Sequence, residues 1–161
     1  MACAPGITGF LQTTLDRLRQ WYGVSTPVKV MPHISIQVPR VGLGFAMAEA
    51  LAEVGATVIL NGRDANTLKI VAGRICDRGL SAETSAFDVT DRRAADSAIQ
   101  SIVAHHQRLD ILIANAGVTH RAQLADWTEE AWNSVLAANL SACFFRAQWA
   151  AAPMRAKGMD E

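Results

Sequence analysis

Apolar positions along this chain change their period several times, and each change reads as a change of secondary structure. Ile34, Ile36 and Val38 alternate as strand residues do, and the run Gly42-Leu43-Gly44 follows them. Ala46-Met47-Ala48-Glu49-Ala50-Leu51-Ala52 then predicts a helix of about ten residues, closed by Gly55. Thr57 to Leu60 reads as a second, buried strand. Asp64 can cap a helix that runs through Arg78 and stops at Gly79, and Ala82 to Phe87 gives a third strand. Asp91 caps a further helix reaching about Gln107. Leu109 to Ala114 is almost uninterrupted in its apolar character, which predicts a fourth strand covered on both faces, as in a parallel sheet. A last long helix starts near Asp126 or Thr128, where Asp126 and Glu129 have capping-box spacing, and runs to about Lys157. Strands alternating with helices imply βαβ crossovers and an α/β fold built on a doubly wound parallel sheet of about four strands.

Residues 1–32 differ from the rest and read as a leader, with residues 33–161 forming the domain. The leader has one acid, Asp16, beside Arg17, Arg19 and Lys29, and carries Pro5, Pro27 and Pro32. Its apolar face of Phe10, Leu11, Leu15, Leu18 and Tyr22 is loosely like a transit peptide, but a secretory core and cleavage site are missing, so a short helix or disordered extension is expected.

Composition narrows the function classes. The 161 residues suit one domain, and 50% hydrophobic with 19% charged residues fits a cytoplasmic α/β enzyme. Lys and Arg number 15 against 15 Asp and Glu, so no basic stripe points to nucleic acid. No apolar run reaches the roughly 20 residues that would span a bilayer. Cys3, Cys76 and Cys143 are odd in number and widely spaced, which supports neither a disulfide framework nor a zinc site. Of His33, His105, His106 and His120, the adjacent pair should point in different directions from a helix, so it reads as a solvated helix end and no metal is expected.

The candidate chemistry lies in the glycines and in three later landmarks. Glycines between a strand and a helix let the backbone approach a pyrophosphate, whose charge is met by free N–H groups and the helix dipole. Gly42 and Gly44 fit that junction, and they are followed by Asp88-Val89, Asn115-Ala116-Gly117 and Asn139 in Ala138-Asn139-Leu140. In order and spacing these residues resemble the short-chain dehydrogenase/reductase family, and Gly42 to Ala48 with Ile59 to Asp64 resemble its gluconate 5-dehydrogenase branch. The resemblance implies the N-terminal part of a Rossmann-like NAD(P)-binding domain without its C-terminal strands. It implies Gly42, Leu43 and Gly44 at the phosphates, Asp88 and Val89 at the adenine, and Asn115, Ala116 and Gly117 beside the adenosine ribose. Asn139 is the one member of the catalytic group it carries over. On the residues alone, Asp88 can also cap a turn, Ala116-Gly117 can permit close packing, and Asn139 can be a buried polar group bonded to backbone.

The departures are as informative. Gln37-Val38, with Pro39 next, stands where the family has Thr-Gly, and a branched Val there should distort the phosphate loop. An altered start, a splice event or a frame shift before Gly42 would make the apparent first strand coincidental. At the end of the second strand an acid would bond the ribose 2′-hydroxyl and a base would pair a 2′-phosphate. Gly62 occupies the acid's position and Arg63 follows, so NADP is favoured over NAD, unless Arg63 is simply a solvated loop charge.

In the family a Tyr serves as general acid/base, a Lys four residues later lowers its pKa, and a Ser orients the carbonyl. The only tyrosine here is Tyr22, with Thr26 four residues on. The expected function is therefore that of an oxidoreductase interconverting an alcohol and a ketone, of a polyol or sugar acid, present as a fragment that is inactive alone. The alternatives are a residual dinucleotide-binding or oligomerisation module, or the non-functional product of a damaged gene. An apolar sheet edge at Leu109 to Ala114 and a helix face of Trp132, Leu136, Leu140, Phe144 and Phe145 predict self-association.

Overall fold

The computed structural model describes residues 29–32, as backbone, and residues 42–155. Four strands form one parallel sheet: β1 (Lys29–Pro32), β2 (Thr57–Gly62), β3 (Ala82–Ala86) and β4 (Ile111–Ile113), in the order β3-β2-β1-β4. Between them run α1 (Leu43–Glu53), α2 (Ala65–Cys76) and α3 (Arg92–His106). After β4 come a 3₁₀ turn at Leu124–Asp126, α4 (Glu129–Leu136), a π turn at Ala137–Ser141 and α5 (Ala142–Arg155). The strand order steps outward from β1 to β3 and then returns to β1's other side, so the connection after β3 reverses direction. That reversal is the switch point at which doubly wound sheets bind ligands.

The first strand is the largest correction to the sequence reading. Strand β1 lies inside the stretch assigned to the leader, whereas Ile34, Ile36 and Val38 fall outside the described residues. Its register sets Lys29 and Val30 against Thr57 and Val58, and Val30 to Pro32 against Ile111 to Ile113. Only one β-branched residue stands in Lys-Val-Met-Pro, so its pattern is weaker than the Ile-x-Ile-x-Val that follows. Pro32, which has no N–H for a ladder, is its last residue.

Helices cover both faces. Along β2 the side chains alternate, so Val58 and Leu60 pack on α1 and α2 with Phe45, Ala48, Leu51, Leu68 and Ile75. Ile59 points the other way, toward Ile99 and Ile102 of α3 and Ala150 of α5. Strand β4 repeats the alternation, with Ile111 and Ile113 on the first face and Leu112 on the second. Arg78 bridges Glu49 and Glu53 at the surface, tying the end of α2 to α1. Arg146 is buried with its Nε donating to the carbonyl of Ala142 at 2.8 Å, and burial pushes its pKa down.

The caps follow the side chains that the sequence offers, with two changes. Asp64 and Asp91 cap α2 and α3, accepting from Asn66 N and from Arg93 N and Ala94 N at 3.0 Å. Gly55 and Gly79 take φ of 88° and 74°, the left-handed turn that ends a helix. The last helix starts at Thr128, one of the two starts the sequence offers, and carries a π turn within it. Thr128 caps α4 by accepting from Ala131 N at 3.2 Å, and the π turn separates α4 from α5. Strand β4 is also shorter than Leu109 to Ala114, and its residues are half-buried rather than covered on both faces.

Candidate functional site

The site is built at the C-terminal ends of β2, β3 and β4, where the sheet hands the chain over to loops. Asn61, fully buried at the end of β2, holds this edge together by donating from Nδ2 to the carbonyls of Ser85 at 2.8 Å and Phe87 at 3.3 Å. Asp88 and Val89, in the loop that follows β3, are thereby set beside Gly62 and Arg63. A cleft of about 260 Å³ opens there, lined by Gly62 to Asp64, Phe87 to Thr90, Ala116 to Val118 and residues of α4 and the π turn. Complete drug-sized sites measure roughly 300–1,000 Å³, so this cleft has room for part of a dinucleotide.

Charge in the cleft is distributed unevenly. Asp64 is spent on the helix: Oδ1 accepts from Asn66 N, and Oδ2 accepts from the Thr67 hydroxyl. The Thr67 hydroxyl first, and the Asn66 amide second, hold the Asp64 carboxyl below the usual aspartate value. Asp88 is likewise turned on its own loop, accepting from Thr90 N at 2.8 Å and from the Thr90 hydroxyl at 2.7 Å. Arg63 is 66% exposed at its side chain, and its guanidinium reaches Asp88 only at 4.0 Å. A solvated ion pair at that distance is weak, which leaves the guanidinium able to turn toward an incoming anion.

Asn139 lies in the π turn, a local widening of the helix that often marks functional positions. Its amide clamps one residue of the loop after β4, with Oδ1 accepting from Val118 N at 2.8 Å and Nδ2 donating to Val118 O at 2.9 Å. A Cβ on Gly117 would stand 3.3 Å from Asn139 Oδ1, so glycine is the residue that lets the loop and the amide come this close.

Of the residues singled out from sequence, Arg63, Asp88, Val89, Ala116 and Gly117 line this cleft, and Asn139 reaches it through Gly117 and Val118. Asn115 sits at the end of β4, its N–H bonded to Ile113 O at 3.1 Å, and is not among the lining residues. Gly42, Leu43 and Gly44 form the start of α1 away from the lining, with Gly44 buried and Leu43 exposed. The N-terminus of α1 carries no acid in its first turn, and Gly42 offers it no side-chain cap. Among the described residues no side chain competes for the positive end of this helix dipole, the feature that suits a helix start to a phosphate. Gln37, Val38, Tyr22 and Thr26 lie outside the described residues. Asn61, Thr67 and Thr90 were missed in the sequence. Their signal was there, as a lone amide inside an apolar strand and as hydroxyls two or three residues from an aspartate.

One further expectation is corrected. His105 and His106 do not diverge into separate surroundings. Among the described residues their ring nitrogens and a Glu83 carboxylate oxygen all lie within 4.8 Å of one another. The helix ends at this pair, the two rings meet edge to face, and Glu83 of β3 reaches His106 Nε2 at 2.9 Å.

A cleft at the C-terminal edge of a doubly wound parallel sheet is the arrangement of a nucleotide-binding α/β domain. The chain belongs to the short chain dehydrogenase family, whose family model matches residues 39–159. It is 38% identical over 117 residues to gluconate 5-dehydrogenase of Gluconobacter oxydans, an alignment covering 73% of this chain and 46% of that protein. Among solved structures it is similar to a gluconate 5-dehydrogenase of Burkholderia cenocepacia in complex with NADP and tartrate, with 31% identity and a TM-score of 0.71. That match covers 81% of this chain and 50% of the other. It is also similar to L-sorbose reductase of Gluconobacter frateurii complexed with NADPH and L-sorbose, at 25% identity and a TM-score of 0.75, covering 83% and 49%. The chain thus spans about half the length of these relatives. Among the described residues no helix is long and apolar enough to cross a membrane.

Proposed function

We propose that this chain is the cofactor-holding part of an NADP-preferring oxidoreductase that interconverts a hydroxyl and a carbonyl group on a polyol or sugar acid. The observation that carries the reading is the pairing at the end of β2, where Asp64 is consumed as a helix cap and Arg63 stays exposed. An acid free to bond a 2′-hydroxyl would favour NAD, whereas an exposed guanidinium can pair a 2′-phosphate through two parallel hydrogen bonds. Relatives whose structures hold NADP or NADPH support the same choice. So do relatives acting on gluconate, for the substrate class.

Within this reading each residue has a part. The N–H groups at Gly42, Leu43 and Gly44 would face the pyrophosphate, Asp88 and Val89 flank the adenine, and Ala116 and Gly117 form the floor beside the adenosine ribose, with Asn115 behind them. Asn139 acts as a positioning residue that fixes this floor through Val118. The bound nicotinamide would supply or accept the hydride. The 161 residues contain no Tyr-x-x-x-Lys, so the part assigned to them is to hold the cofactor and not to supply the family's acid/base pair. The fragment probe adenosine 2′,5′-bisphosphate, compared with 5′-AMP, tests the cofactor choice. The bisphosphate should bind at least about tenfold tighter, a difference of roughly 1.4 kcal/mol; equal binding would overturn it.

A second reading has its own observation. Trp132, Leu140 and Phe144 expose 55%, 63% and 63% of their surfaces along α4, the π turn and α5. An apolar face of this kind fits association with a second copy. Sedimentation should show a concentration-dependent oligomer that Phe144→Glu dissociates, while a monomer at all concentrations would refute the reading.

A further inference from the structure

We propose that Glu83, His105 and His106 form a zinc-binding clip between the outer strand of the sheet and the C-terminus of α3. The site stands apart from the cofactor cleft and does not depend on the proposed oxidoreductase activity. Three ligand atoms, one from each residue, lie within 4.8 Å of one another. His106 Nε2 is already 2.9 Å from Glu83 Oε2, and the imidazole side chain is 7% exposed, so packing holds it in place against the edge strand. The His105 ring meets it edge to face with centroids 4.6 Å apart.

Zinc binds imidazole nitrogen and carboxylate oxygen at about 2.0–2.2 Å, which sets tetrahedral ligands roughly 3.3–3.5 Å apart. The His106–Glu83 pair needs to open slightly for that, and His105 needs to close by about 1.5 Å at most. Glu83 and His105 are exposed and can rotate without disturbing the core. Two imidazoles and one carboxylate are a donor set for borderline metals such as zinc, and a poor one for magnesium or calcium, which take oxygen. The position adds a further reason. Helix α3 ends at His106, with Gln107 in the left-handed conformation, and its C-terminal carbonyls carry the negative end of the dipole. A cation there is favoured by the helix as well as by the carboxylate. Three protein ligands leave a fourth position for water.

Bound zinc would fasten β3, the outer strand of the described sheet, to a helix 22 and 23 residues further along the chain. The test is isothermal titration of the full chain with Zn²⁺ alone, and with Mg²⁺ as control. One Zn²⁺ should bind per chain and Mg²⁺ should not. His105→Ala removes an exposed ring and should leave the fold intact by circular dichroism. It should weaken zinc binding by at least about tenfold, as should Glu83→Gln. Cys76→Ser, whose thiol lies 3.6 Å from the carbonyl of Ala82 near the strand, should leave affinity unchanged. Co²⁺ read by absorbance gives a second readout: a visible d–d band without a thiolate charge-transfer band is expected. No saturable binding, binding that survives His105→Ala with Glu83→Gln, or loss of binding in Cys76→Ser would each overturn the proposal.

Discussion

Strands β2 and β4 are both apolar in sequence, yet the structure treats them differently. Five of the six residues of β2 are buried, with β1 and β3 on its flanks and helices on both faces. All three residues of β4 are only half-buried, and in the described sheet β4 has β1 on one side alone. A run of apolar residues therefore announces a strand without announcing its cover. Burial is a property of the neighbours, and local sequence carries little of it.

The sharpest way to test this contrast is to delete equal volumes from the two strands. Leu60→Ala should cost about 2–5 kcal/mol in urea unfolding, since Leu60 is fully buried. Leu112→Ala should cost less than about 2 kcal/mol, because part of that side chain is already in water. Equal losses would mean that the two strands have the same cover in solution.

The Asn139 amide ties down the loop after β4. Asn139→Leu removes both bonds to Val118 and leaves a peptide N–H and carbonyl to find water, which should cost about 1–3 kcal/mol. NADPH affinity should fall with it, because the floor of the cleft is then held by β4 alone. A variant that loses stability but keeps full affinity would separate Asn139 from the site.

The smallest effect is acid sensitivity on the β2 side. The Asp64 carboxyl is held below its ordinary value by the Thr67 hydroxyl and the Asn66 amide, so the folded state favours the ionised form. Its contribution is fully present above the ordinary aspartate value of about 3.9, and is lost as pH falls through the lowered folded value. Amide exchange at Asn66 and Thr67 should quicken over that window, and Asp64→Asn, which still caps without titrating, should abolish the dependence. An unchanged acid profile in Asp64→Asn would remove Asp64 from the account.

Local rules were legible where one residue decides. Asp64, Asp91, Gly55 and Gly79 marked the helix ends, and strand and helix alternation was enough for the parallel sheet. Strand β1 was not legible, because Lys29 to Pro32 carries a weak strand pattern and acquires its place from pairing with residues 57–58 and 111–113. The same holds in the site. The landmarks Arg63, Asp88 and Gly117 stood out by type and order. Asn61 did not, since its importance arises from the two carbonyls, 24 and 26 residues away, that the fold brings within reach. The π turn at Asn139 was hidden for a similar reason: its side chain leaves the helix to bond a loop 21 residues earlier.

Titration of the purified chain with NADPH and NADH, with and without Arg63→Ala, decides whether the end of β2 reads the 2′-phosphate of NADP. Binding should be saturable and at least about tenfold tighter for NADPH, with the preference lost in Arg63→Ala while NADH binding is unchanged. Equal affinity for the two cofactors, or a preference that survives Arg63→Ala, would contradict that reading.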